Sequence, residues 1–366
     1  MTQRAHIDRS LALLLGLLVV VGGLIFASAA FGLLARGAQG MPSVVFNHLI
    51  LGVGVGLVAL LFASAIDYRL WRRLTPYLFV LALIATALVF VPHLGATHGG
   101  GRRWIILFGF SAQPSEALKL AGVIMAATYF SAFRTRINSF LWGPAAFLAL
   151  LALPAILLIL QPDLGTLGVV AVSMFAVYAA AGARFRDIAL IVLIVCIALG
   201  AFLSVNKYAR DRIVTFINPA QNQQAEGYQI KQALIAIGSG GVVGRGLGQG
   251  IQKFTYLPEP MGDSIFAVAG EELGFAGATG IVILFLLFAL RGYMVATHAP
   301  DAFGGLLAVG ISTYLASEAF INIAAMLGVA PLTGIPLTFM SQGGSAMLVS
   351  LASAGILLNI SRRRVS

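Results

Sequence analysis

Charge is what this chain has least of. Asp, Glu, Lys and Arg make up 10% of its 366 residues, against about 25% in a soluble domain. With 59% hydrophobic residues beside that scarcity, a soluble globular fold is excluded. A single cysteine, Cys196, rules out an intrachain disulfide and any cysteine-based cluster. The histidines (His6, His48, His93, His98 and His298) are scattered without metal-ligand spacing. No Gly-Lys-Ser/Thr sequence occurs, which removes a Walker-type nucleotide loop, and the glycine run at 238–250 holds no dinucleotide fingerprint. Ser/His/Asp catalysis has no support beyond the presence of those residue types.

What the chain has is long apolar runs. Many exceed 18 residues, enough to cross a hydrocarbon core, whereas a membrane barrel would alternate over segments of about ten. The expected fold is all-α: a polytopic membrane protein of ten transmembrane helices in one domain, 1–366. The spans fall at 11–34, 44–66, 77–94, 115–133, 141–161, 164–182, 187–205, 264–290, 303–327 and 343–360. The first, about 24 residues and preceded by Arg4 and Arg9, is too long for a signal-peptide core and reads as a retained helix.

The net charge of +10 suits topology better than nucleic acid. With the N-terminus inside, the inner segments hold Arg4, Arg9, Arg69, Arg72, Arg73, Arg134, Arg136, Arg184, Arg186, Arg291 and Arg362 to Arg364. The short outer loops hold only Arg36, Arg102 and Arg103. The positive-inside rule then puts both termini in the cytoplasm and makes 206–262 a large extracytoplasmic loop. Within it, apolar residues near helical spacing over 223–237 predict a short surface helix, and the glycines that follow predict a flexible segment. The other outer segment, 93–115, with a glycine run, a basic pair and Trp104, reads either as a flexible loop with an interfacial aromatic anchor or as a functional segment.

Polar residues inside the spans narrow the search, because each charge there costs roughly 2.5–3.5 kcal/mol on insertion scales. Glu116 and Lys119, one turn apart, form either an internal ion pair or part of a site. Glu271 and Glu272 are adjacent and point about 100° apart, so they are expected to serve different partners. Glu318 stands alone and calls for a basic partner elsewhere. Asp263 follows Pro258-Glu259-Pro260 at the outer end of its helix. It reads either as a helix N-cap or as a carboxylate at the membrane boundary, its proton affinity raised toward general-base use. From residues alone, an outward polar site around Asp263 fits an enzyme or a transporter equally.

The motifs go further. QPSEALK (Gln113–Lys119), QPDLGT (Gln161–Thr166), GYQIKQALIAIGSGG (Gly227–Gly241), QKFTYLPEPMGDSIFAVAGEELG (Gln252–Gly274) and PLTGIPLTFMSQGGS (Pro331–Ser345) resemble, in order and spacing across nearly the whole chain, the SEDS family (shape, elongation, division and sporulation). The QK-x-x-YLPE form and GGRRW at 100–104 are more similar to its FtsW members than to RodA. Ser264, Gln342 and Glu318 depart from residues usual in the family, which bears on substrate fit and partner choice.

The resemblance implies a ten-helix GT-C-like fold in the bacterial cytoplasmic membrane and polymerisation of lipid II into β-1,4-linked glycan on its outer face. The family's essential aspartate falls on Asp263. Substrate contacts are expected at Arg103, Glu116, Lys119, Asp163, Lys253, Glu259, Glu272, Ser341 and Ser345, with Lys119 and Arg103 preferred for the pyrophosphate. No residue pattern demands a cofactor, although the pyrophosphate leaves room for a divalent Mg or Mn ion. The implied partners are lipid II, a class B penicillin-binding protein and, for an FtsW-like member, other division proteins. A lipid II flippase or other lipid transporter, a RodA-like elongation polymerase and a non-catalytic scaffold are the competing readings. A transporter often shows internal repeats, and none is convincing here.

Overall fold

The computed structural model describes residues 7–35, 41–98, 101–107, 110–218 and 226–363. Arg4, Arg36 and Arg364, Gly100 of the GGRRW motif and residues 223–225 at the start of the expected surface helix lie outside them.

Every expected apolar run folds as helix, because backbone polar groups in a bilayer must be satisfied within their own segment. Among the described residues, seven helices are long and apolar enough to cross a membrane: Arg9–Gly32, Val44–Ala65, Arg69–Leu88, Phe185–Val205, Ile265–Thr297, Ala302–Met326 and Gly344–Ser361. Pro144–Leu160 and Leu164–Ala180 are shorter apolar helices. Pro114–Ala132, 19 residues long, carries Glu116 and Lys119. The helix expected at 77–94 starts at Arg69 and ends at Leu88. Its first turns carry Arg69, Arg72 and Arg73, residue types that can bury an apolar stem while keeping the charge in water. One guanidinium, that of Arg72, stands 5.9 Å from the centre of the Phe303 ring.

Ala302–Met326 and Gly344–Ser361 form the centre, each 78% buried over its apolar window, whereas Phe185–Val205 is 6% buried and peripheral. Close helix approach needs small residues. At Gly355 a Cβ would come within 2.4 Å of the Leu60 carbonyl oxygen.

Of the two readings of the segment between the third and fourth spans, the flexible loop does not hold: its described residues form a three-stranded antiparallel sheet, β1 (Gly95–His98), β2 (Gly101–Leu107) and β3 (Phe110–Ala112), in the order β1-β2-β3. Its central strand carries Trp104-Ile105-Ile106, residue types that favour a pleated, half-buried surface.

The glycine-rich segment is not an unpaired loop either. The Ile265–Thr297 helix breaks at Gly274 (φ 68°, ψ −169°), and 241–246 lies against the break. Phe275 and Ala276 donate their N–H groups to the carbonyls of Gly241 (2.8 Å) and Val242 (3.0 Å). Arg245 and Gly246 donate theirs to the carbonyls of Glu271 (3.1 Å) and Glu272 (3.0 Å). Gly244, at φ 81°, sits so close that a Cβ would lie 2.1 Å from the Glu272 oxygen.

The predicted surface helix runs Glu226–Ser239 and buries Ile230, Ala233 and Ala236. The two ends of the bundle carry separate polar networks. At one end Asp8 accepts from Arg291 Nε (3.0 Å), its N–H donates to Ser361 Oγ (3.2 Å), and Tyr68 OH donates to Asp301 Oδ2 (2.5 Å). The start of the first described helix and the end of the last therefore lie together. The sheet, the 161–163 turn, the 259–264 turn and the 331–343 segment meet at the other end.

Candidate active site

Asp263 is presented by a tight turn. Glu259 takes up a left-handed backbone (φ 45°) and its carbonyl accepts the N–H groups of Gly262 (3.0 Å) and Ser264 (3.2 Å). The N-cap reading of Asp263 does not hold. Ser264 occupies the cap position of the Ile265–Thr297 helix without a side-chain cap bond, its hydroxyl accepting from Gln229 Nε2 (3.0 Å). Among the described residues, the Asp263 carboxylate accepts no hydrogen bond. It is half-buried. Burial is the largest influence on its proton affinity, with the exposed Glu259 carboxylate next; Arg212 and Arg103 oppose, Asp163 adds, and the net effect lifts it to about 7.

The turn is stapled from the opposite wall. Asn322 Nδ2 donates to the backbone oxygens of Asp263 (2.9 Å) and Ile335 (2.8 Å). Ser341 Oγ donates to the Gly262 oxygen (2.7 Å) and accepts from Leu337 N (2.7 Å), and Gln342 N donates to the Met261 oxygen (2.6 Å). Ser341, expected to touch substrate, thus has its hydroxyl engaged in holding the turn. Asn322 was visible in the sequence only as a polar residue in an apolar span. A buried amide there must find partners, and that is the signal that could have singled it out.

Arg103 comes from β2. Its Nε donates to the Gln161 oxygen (3.2 Å), its Nη2 to the Pro162 oxygen, and its Nη1 stands 3.8 Å from Asp163 Oδ1. Asp163 caps the Leu164–Ala180 helix through Thr166 N (3.3 Å) and accepts from Gln113 Nε2 (3.1 Å). Gln113 N in turn donates to Ser345 Oγ (3.1 Å). The guanidinium is therefore fixed in direction by two carbonyls and a carboxylate.

The space between the acid and the cation belongs to Gly334. Its φ is 71°, and a Cβ there would lie 3.7 Å from Asp263 Oδ2 and 3.9 Å from Arg103 Nη1. Gly334→Ala is expected to cost about 1–2 kcal/mol for the left-handed backbone and to place a methyl group between the two. Thermal unfolding and substrate titration of the variant check both effects. A variant as stable and as active as the parent would show that nothing needs that gap.

The structure brings Asp263, Glu259, Arg103 and Asp163 together, framed by Ser341 and Ser345. It does not bring Lys119, Glu116, Lys253 or Glu272 to that opening. Lys119 Nζ lies 2.7 Å from Glu116 Oε2 and 2.6 Å from Glu318 Oε1, all three side chains no more than 2% exposed. The expected ion pair is present and Glu318 has found its basic partner, but the ammonium is enclosed by the carboxylates that satisfy it. Lys253 belongs to a second buried cluster. Its Nζ lies 2.5 Å from Glu272 Oε1 and 2.6 Å from Ser28 Oγ of the first helix. Glu271 accepts from the N–H groups of Ile251 (2.8 Å) and Gln252 (3.1 Å). The adjacent glutamates, expected to serve different partners, hold consecutive residues of one loop, with Gly250 between them.

Among the described residues no three His, Cys, Asp or Glu side chains converge to hold a metal ion.

Comparison with known proteins places this geometry. The family model described as cell cycle protein, covering FtsW, RodA and SpoVE, matches residues 9–366. The chain is 37% identical over 365 residues to the stage V sporulation protein E of Bacillus subtilis, covering 99% of each. It is 41% identical over 320 residues to a probable peptidoglycan glycosyltransferase FtsW of Geobacter sulfurreducens, covering 86% of this chain and 84% of that protein. Among solved structures, a chain of a peptidoglycan synthase complex superposes with a TM-score of 0.80 at 26% identity, covering 98% of each chain. The rod shape determining protein RodA of Thermus thermophilus superposes with a TM-score of 0.71 at 26% identity, again over 98% of each. The chain belongs to the FtsW/RodA/SpoVE family, the SEDS membrane proteins.

Proposed function

We propose that this protein is a peptidoglycan glycosyltransferase that polymerises lipid II at the outer face of the bacterial cytoplasmic membrane, with Asp263 as general base. One observation carries the reading: among the described residues, a half-buried carboxylate that accepts no hydrogen bond lies across the Gly334 gap from an arginine whose direction is fixed, and burial lifts its proton affinity to about 7. A structural N-cap would bond the helix N-terminus through its side chain, whereas a base working near neutral pH needs a free carboxylate whose proton affinity lies near that pH.

The reaction is an inverting transfer. Asp263 takes the proton of the acceptor GlcNAc 4-hydroxyl as its oxygen attacks C1 of the donor MurNAc. The undecaprenyl pyrophosphate leaves with the electron pair of the broken bond, and a β-1,4 link forms. Arg103 offers Nη1 to the pyrophosphate as a charge-assisted donor. Glu259 holds the proton affinity of the base up, and Asp163 and Ser345 frame the site. The enclosed Lys119 and Lys253 clusters brace the helices behind it.

The FtsW-named relatives and the QK-x-x-YLPE motif favour a septal role over elongation. A class B penicillin-binding protein is the proposed partner, supported by the likeness to a chain from a peptidoglycan synthase complex. Both described chain ends lie opposite the site, which agrees with cytoplasmic termini and an outward active end.

The pH dependence tests the base. Only the ionised form of Asp263 accepts a proton, so initial polymerisation rates should rise with pH through about 7 and level off above it, falling roughly tenfold per unit on the acid side. A rate that stays flat from about pH 6 to about pH 8 would remove Asp263 from that role.

A further inference from the structure

We infer that residues 241–247 form a re-entrant surface that enters the hydrocarbon layer beside Gly274 and contacts lipid acyl chains.

The broken helix supplies the first reason. Above the break, Ile265 to Glu272 are all buried in protein. Below it, Phe275 is 70% exposed and begins an uncharged stretch that reaches Leu290. The segment is pinned at the level of the break, since Gly241 and Val242 accept hydrogen bonds from Phe275 and Ala276 while Arg245 and Gly246 donate to Glu271 and Glu272.

Depth follows from helix geometry. Arg291, on the same helix, pairs with Asp8 at the start of the first membrane helix and marks the far polar boundary. Phe275 precedes it by 16 residues, about 24 Å at 1.5 Å per residue. That is less than the roughly 30 Å of a hydrocarbon core. Phe275, and with it Val242, therefore lies inside the apolar layer, near the boundary opposite Arg291.

The side chains agree. Val242 is 69% exposed, Val243 82% and Leu247 52%. The one charge in the stretch, Arg245, turns back to the Ser239 oxygen (3.4 Å) and Glu271 (3.7 Å). Irregular backbone near the membrane boundary needs partners for its polar groups, and the helix break supplies them to four: the carbonyls of Gly241 and Val242 and the N–H groups of Arg245 and Gly246. Continuity with the exposed Phe275 face selects lipid over a protein partner as the occupant.

Nitroxide accessibility tests this without reference to catalysis. Cysteines replace Val243, Phe275 or Asp211, singly, in the full chain carrying Cys196→Ala, which is reconstituted at low density in phosphatidylcholine–phosphatidylglycerol vesicles and spin-labelled. Asp211, exposed on the outer Lys207–Ile217 helix, serves as the aqueous reference. The label at Val243 should collide with oxygen as the label at Phe275 does. It should meet a water-soluble nickel chelate about tenfold less often than the label at Asp211, since polar solutes are excluded from hydrocarbon. Chelate access equal to that at Asp211 would put the segment in water and overturn the inference. Protection from both reagents would also overturn it, by showing that protein covers the surface. All three substitutions are at exposed positions, so misfolding is not the expected cause of either result.

Discussion

Purified Asp263→Asn protein should insert and fold like the parent yet polymerise lipid II about 10²–10⁴-fold more slowly, the usual worth of a general base. The fall should appear in kcat, with KM nearly unchanged. Asn matches Asp in shape, and the carboxylate accepts no hydrogen bond among the described residues that the amide would lose. The backbone carbonyl of residue 263, held by Asn322 Nδ2 at 2.9 Å, is untouched by the change. Ionisation of Asp263 is opposed by burial and by Glu259, so removing the charge relieves the fold rather than weakening it. Steady-state kinetics alongside a thermal unfolding curve separate the two effects. Full activity in a folded variant would mean that the proton goes elsewhere.

Lys119→Met should be the most damaging change to stability. The substitution leaves Glu116 and Glu318, both buried, without the ammonium that lies within 2.7 Å of each. Breaking a buried ion pair from one side costs roughly 3–5 kcal/mol, because an uncompensated charge stays behind. Glu116→Gln and Glu318→Gln added to Lys119→Met should recover most of the loss, since no charge then remains. Thermal unfolding in detergent reads both steps. The series also separates two roles for Lys119. If the triple variant is stable and active, the lysine is a brace; if it is stable and inactive, the ammonium reaches the substrate during turnover.

The helices were legible because an apolar run of bilayer length has one outcome in lipid. The exception is instructive: the third helix begins at Arg69, and arginines at a helix end hide its start from a hydropathy reading. The sheet at 95–112 escaped notice because three short strands leave little periodicity, and because its glycines and basic pair read as loop. Asp263 was legible from its motif, but its freedom from capping was not, since that depends on Ser264 and on how the 259–264 turn is held. Pairings between distant segments were beyond reach as well. Glu318 with Lys119, and Glu272 with Ser28, join residues far apart in the chain, and only packing selects among several candidates. The glycines at 240–248 show the same limit. Glycine permits both flexibility and close approach, and the broken helix opposite decides for close approach.

The account stands or falls on polymer formation. The purified chain, given lipid II with and without its class B transpeptidase, is predicted to yield glycan resolved as a ladder of lengths, and the Asp263→Ala protein to yield essentially none under either condition. Undiminished polymer from Asp263→Ala, or lipid II moved across vesicles by the parent chain with no polymer made, would contradict it.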